Sequence, residues 1–126
     1  MIAGVGVDVF SLEKLAAMSD KEGFFQQVLA PRELRDAPQG PRRDAFCGKV
    51  FAAKEAILKA LGCGLHPGFS WHDITVLDGV GVCLSGRTRE LAERQSIEGI
   101  HISYSSSTDL AVAIALLETH KPEVTP

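Results

Sequence analysis

The sequence predicts an α+β fold, and three observations carry that prediction. The chain opens on a two-residue alternation, "MIAGVGVDVF", and closes on two further strand-like runs, "GIHISYSS" and "LAVAIALLE". Between them, residues 44–61 hold an apolar stripe at helical spacing. After that helix, "HDITVLD" and "VGVCLS" meet at Asp78-Gly79, a dipeptide suited to a tight hairpin turn.

The opening strand places Val5, Val7 and Val9 on one face and Gly4, Gly6 and Asp8 on the other. The valine face is expected to be buried. The second face is nearly bare apart from one carboxylate, and glycine inside a strand marks close approach of another backbone or of a ligand. Ser11 then caps a helix in "SLEKLAAMS". "DKEGFFQQVLAPREL" supplies a second short helix, a proline stop and the start of a third, and "APQGPRRD" is the clearest loop. From Asp44 a long helix runs to about Leu61 along the stripe Phe46, Val50, Ala53, Ile57 and Leu61. "GCGLHPG" ends it with glycines suited to positive φ, and "GRTRELAERQ" is a charged amphipathic helix. The last strand is apolar on both faces, which places it at the centre of its sheet. The polar, proline-bearing end gives a single domain over residues 1–118 and a flexible tail over 119–126.

A chain of 126 residues can bury a real core without covalent staples. Cys47, Cys63 and Cys83 are an odd set with no CxxC pair, which fits a reducing cytoplasm and argues against a disulfide framework or structural zinc. A net charge of −3 gives no basic field for nucleic acid. No apolar run approaches the ~18 residues a membrane span needs, and no signal peptide is expected.

Glu55 and Lys59 are i,i+4 neighbours off the apolar stripe, flanked by Ala52 and Ala56. On a solvated helix such a pair is worth about 0.2–0.5 kcal/mol and nothing more. Asp8 supplies a second carboxylate from another element, beside glycines that leave room. Two carboxylates from two elements suit magnesium, which fills its remaining positions with water and phosphate oxygens, while nearby lysines neutralise phosphate charge. There is no Walker A loop and no GxGxxG, so a P-loop nucleotide hydrolase is excluded at the level of motif.

"GVGVDVFSLEKL", "FAAKEAILKALGCG" and "GIHISYSSSTDLAVAIALLE" together resemble the holo-[acyl-carrier-protein] synthase family, the small 4'-phosphopantetheinyl transferases. The blocks come in order at the family's separations, and "FSWHDITVL" fits the strand between them. The resemblance implies a small antiparallel sheet packed on a long central helix, assembled as a homotrimer with active sites between subunits. It implies transfer of phosphopantetheine from coenzyme A to a serine of acyl carrier protein, leaving 3',5'-ADP. Asp8 and Glu55 match the magnesium ligands, and Lys59 matches the lysine near the pyrophosphate. Coenzyme A is expected against Lys54, Lys59, Gly62, Gly64, Ser103 and Ser105. The two serines have a second reading, as groups that only cap backbone at a strand end. The carrier protein is expected on the first-helix region at Lys14, Met18 and Lys21, for which solubilising lysines are the plain alternative.

Three positions depart from the family pattern. Ser106 stands where a second histidine is usual, Val50 replaces the arginine before the F-x-x-K-E signature, and the G-K-P turn is shortened to "DGVGV". Proton removal then falls to Glu55 or to a water held by the metal. Two rival expectations follow: a degenerate, non-catalytic homologue that binds coenzyme A or carrier protein, and a purely structural trimer.

Overall fold

A computed structural model describes residues 1–77 and 81–120. Strand β1 (Ile2–Ser11) leads into three short helices, α1 (Leu12–Ala16), α2 (Lys21–Val28) and α3 (Pro31–Asp36). The long helix α4 (Arg43–Ala60) follows a 3-10 turn at Gly40–Arg42. A second 3-10 turn, Trp71–Asp73, precedes β2 (Ile74–Leu77) and β3 (Gly81–Leu84), and α5 (Gly86–Arg94), β4 (Ile97–Ser106) and β5 (Leu110–Thr119) complete the order. The strands form an antiparallel sheet β1-β5-β4 and a separate antiparallel pair β2-β3. The apolar closing strand is therefore central in its sheet. The Asp78-Gly79 turn lies outside the described residues. Thr119, assigned from sequence to the tail, is paired in β5 and buried, so the folded domain runs past residue 118. Residues 121–126 of that tail also lie outside the described residues.

Small residues on both partners bring α4 down onto the sheet. Gly48, Ala52, Ala56 and Ala60 recur every four residues along α4, and all are buried. They meet Gly4 and Gly6 of β1 and Ala111, Ala113 and Ala115 of β5, which share the inner sheet face. A methyl group at Gly6 would run into the Ala56 carbonyl, and one at Gly4 into the Ala60 carbonyl. The bare strand face is thus the seat of the helix, a close backbone approach that only glycine permits. The opposite side of α4 (Val50, Ala53, Ile57 and Leu58), with Leu61 just past its end, joins Leu15, Phe25, Val28, Leu29 and Ile74 in the core. The apolar stripe read from sequence accounts for only that second side. Phe51 then ties α4 to its neighbours, with ring centroids 4.9 Å from Phe10, 5.1 Å from Phe24 and 5.1 Å from Trp71.

One expectation is reversed. Val5, Val7 and Val9 are not buried within the chain: they are 53%, 50% and 56% exposed, on the sheet face away from α4. Val112 and Ile114 stand beside them in register and are also exposed. The physical reason is that the glycines, not the valines, let the helix in. The valines are left on an open apolar sheet face.

Candidate active site

Asp8 lies two residues beyond Gly6 on the strand face that touches α4, so the docking of β1 on the helix also delivers a carboxylate to it. Lys59, the one exposed residue of α4, reaches back to meet it. Lys59 Nζ donates to Asp8 Oδ1 at 2.8 Å and to the Val7 carbonyl oxygen at 3.1 Å. Glu55, one helical turn earlier and half-buried, feels both charges. Burial pushes its carboxyl above the usual carboxylate range, the Asp8 charge adds to that, and the Lys59 charge opposes it. Lys59 is itself held above the ordinary lysine value, first by its hydrogen bond to Asp8 and further by the charges of Asp8 and Glu55, against burial.

The three residues that the sequence singles out for metal and phosphate chemistry therefore converge from two elements. The donor set is hard oxygen from two carboxylates that repel one another. That fits magnesium, which takes one or two protein carboxylates and leaves the rest of its sphere to water and phosphate. Among the described residues no group of three or more His, Cys, Asp or Glu side chains gathers to form a metal cage of protein ligands alone.

Lys54 is a correction. Expected against coenzyme A, its side chain is fully buried, 2.6 Å from Glu33 Oε1, and Nζ donates to the Val28 carbonyl at 2.7 Å and the Trp71 carbonyl at 3.2 Å. Burial lowers its pKa, and the Glu33 charge and hydrogen bond oppose that. Glu33 also accepts from the Ala30 amide at 2.7 Å and the Val76 amide at 2.6 Å. A charge taken out of water survives only when its partners are supplied in full, and here they are. The pair pins α4 to α3, to the end of α2 and to β2, leaving no ammonium free for a phosphate. Nothing in the motif points from Lys54 to Glu33. Its available signal is local: it is the third residue of a helix opened by Pro31, where a carboxylate reaches back to the amide before the helix.

Gly62 ends α4 with φ of 73°, and Gly64 follows; neither has another group where a side chain would stand. Ser103 and Ser105 are exposed, in register with Ile114 and Val112 on the valine side of the sheet. Within one chain they are on the opposite face from Asp8 and do not join the cluster. His101 shares that outer face and bonds Glu118 at 2.7 Å. Ser106 faces inward, but in the row of Ala111 and Phe10, two strands across from β1. A histidine there would not stand beside Asp8 of its own chain.

The first-helix patch is also altered. Helix α1 stops at Ala16, so Lys14, Met18 and Lys21 do not share a helix; Lys21 is the first residue of α2 and pairs with Asp44 at 3.1 Å. Met18 is 37% exposed in the turn between the two helices.

A family model, that of the 4'-phosphopantetheinyl transferase superfamily, matches residues 4–115. The holo-[acyl-carrier-protein] synthase of Vibrio cholerae is 38% identical over 124 residues, covering 94% of this chain and 98% of that protein. Among solved structures, the holo-[acyl-carrier-protein] synthase of Neisseria meningitidis superposes with a TM-score of 0.82 at 30% identity, covering 94% of this chain and 100% of that one. The Bacillus anthracis synthase in complex with CoA (3',5'-ADP) gives a TM-score of 0.76 at 34% identity, over 94% and 98% of the two chains. The family match runs from Gly4 in β1 to Ala115 in β5 and so spans both elements that build the cluster; this chain belongs to the 4'-phosphopantetheinyl transferase superfamily.

Proposed function

We propose that this chain is a magnesium-dependent holo-[acyl-carrier-protein] synthase acting as a cytoplasmic homotrimer. It moves 4'-phosphopantetheine from coenzyme A to a serine of apo acyl carrier protein and releases 3',5'-ADP. The observation that carries this reading is the meeting of Asp8 and Lys59 across β1 and α4, with Glu55 responding to both.

Asp8 and Glu55 would hold the magnesium ion, which when bound supplies Lewis-acid neutralisation at the pyrophosphate. Lys59 stabilises the negative charge that gathers on the departing phosphate, from a rigid helix and with a half-exposed head. The nucleophile belongs to the carrier protein. Its serine oxygen bonds the pantetheine-side phosphorus as the bridging P–O bond breaks, and that electron pair leaves on 3',5'-ADP. The serine proton passes to Glu55, the carboxylate of the two to which Lys59 makes no hydrogen bond.

Open space at Gly62 and Gly64 supports close approach of coenzyme A to that backbone. The exposed stripe of Val5, Val7, Val9, Val112 and Ile114 supports assembly, because so contiguous an apolar face marks an interface. Ser103 and Ser105 stand beside that stripe, so they would serve a neighbouring copy's coenzyme A rather than their own. Lys14 and Met18, with Lys21 at their edge, remain the proposed seat of the acidic carrier protein.

Incubating the protein with coenzyme A, magnesium and the apo carrier protein should add the mass of one phosphopantetheine to the carrier. Asp8→Ala and Glu55→Ala should each abolish that gain while keeping the native circular dichroism. An unmodified carrier alongside measurable coenzyme A binding would instead establish a non-catalytic homologue.

A further inference from the structure

Lys59 stands where a cation is wanted. Its Nζ is 2.8 Å from Asp8 Oδ1, so the carboxylate already has a positive partner in the folded chain. The two ends of this pair are unequal. The Asp8 side chain is 12% exposed and fixed in β1, whereas that of Lys59 is 53% exposed on a flexible four-carbon stem. The carboxylate stays in place, and the ammonium, which also donates to the Val7 carbonyl at 3.1 Å, is the end that can swing. A divalent ion on the Asp8 carboxylate would bring a second positive charge beside the ammonium, and the two cations would repel each other.

We propose that Lys59 is an internal competitor for the metal site, holding the Asp8 carboxylate until a pyrophosphate-bearing ligand draws the ammonium away. The inference rests on Asp8 and Glu55 being the metal's ligands. A pyrophosphate offers Lys59 a stronger anion than one carboxylate, and its departure frees Asp8 for the metal. Metal and pyrophosphate ligand then favour one another through Lys59, and linkage makes the effect mutual. The same arrangement gives the metal-free chain a cation to offset the repulsion between Asp8 and Glu55.

The test is Mn2+ binding to metal-free protein, followed by electron paramagnetic resonance and calorimetry, with no carrier protein and hence no turnover. Lys59→Met should bind Mn2+ about tenfold more tightly than wild type, from the lost ion pair and the lost repulsion. Lys59→Arg, which keeps the cation, should bind as wild type does. Saturating coenzyme A should tighten Mn2+ binding to the wild type and do so less in Lys59→Met. If Asp8→Asn loses Mn2+ while Lys59→Met binds no more tightly than wild type, the competitor role is overturned and the metal assignment stands. Equal tightening in Lys59→Arg and Lys59→Met also overturns it. Unchanged Mn2+ binding in Asp8→Asn would remove the metal assignment, and this inference with it.

Discussion

Lys54→Met separates a lysine that holds the fold from one that holds a ligand. Methionine keeps the length of the side chain and deletes the charge. Glu33, 1% exposed, would keep its two amide donors but lose the ammonium 2.6 Å from its Oε1. The Val28 carbonyl would also lose its 2.7 Å donor. Removing one partner of a buried ion pair costs about 3–5 kcal/mol. Domains are stable by only about 5–15 kcal/mol, so the loss is a large share of the total. At about 4 °C per kcal/mol for a chain of this size, the midpoint of melting should fall by roughly 12–20 °C. Circular dichroism melts and urea titrations at one pH measure it. Glu33→Gln should also destabilise, and the double variant should lose less than the sum of the two, because the first change already breaks the pair. A Lys54→Met protein that melts within about 3 °C of wild type but binds coenzyme A poorly would refute the structural assignment and restore the ligand role.

Three further outcomes are expected. Gly6→Ala forces a methyl group against the Ala56 carbonyl and should cost about 1–3 kcal/mol in urea titrations, with activity falling because Asp8 moves off α4. Glu55→Gln should stabilise the metal-free protein at neutral pH: the folded-state carboxyl is raised above 4.5, so its contribution is full below that value and is lost as pH rises through the raised one. Melting with chelator across that window should show the wild-type decline, and the decline should be reduced in the variant. Val7→Asp, on the open face of β1, should lower the assembly state in light scattering while leaving the chain's own fold intact, since Val7 is half-exposed there.

How much of the fold could be read from sequence depended on what each pattern encodes. Alternation in "GVGVDVF" located β1 and sorted its two faces correctly, because side chains on a strand point alternately to opposite sides. It did not say which face the chain's own helix covers. Hydrophobicity pointed to the valines, whereas the sterics of Gly4 and Gly6 against Ala56 and Ala60 decided it. In α4 the stripe Phe46 to Leu61 is legible as apolar residues at helical spacing, but Gly48, Ala52, Ala56 and Ala60 are also buried, with side chains too small to register as a stripe. Helix α1 was found by its Ser11 cap, which accepts from the Lys14 amide. Its early end at Ala16, which separates Lys14 from Lys21, carries no glycine or proline to announce it.

The candidate site divides along the same line. Asp8, Glu55 and Lys59 were legible because carboxylates beside small residues, with a lysine one turn on, make sense before any packing is known. Lys54 was not legible, although it is the immediate neighbour of Glu55 in the same motif. One residue turns a helix by about 100°, enough to take a side chain from the cleft to the core. The partner that decides the matter, Glu33, sits on another helix with no spacing rule linking the two. Yet the pair bears on the site. The glycines of β1 set how closely α4 approaches the strand, while Lys54, held by Glu33, Val28 and Trp71, fixes how α4 is turned about its axis. In that orientation the next residue, Glu55, shares its surroundings with Asp8, and Lys59 one turn later reaches the Asp8 carboxylate. The two lysines of "KEAILK" thus divide the work: the buried one orients the helix, and the exposed one meets the charge that the orientation presents.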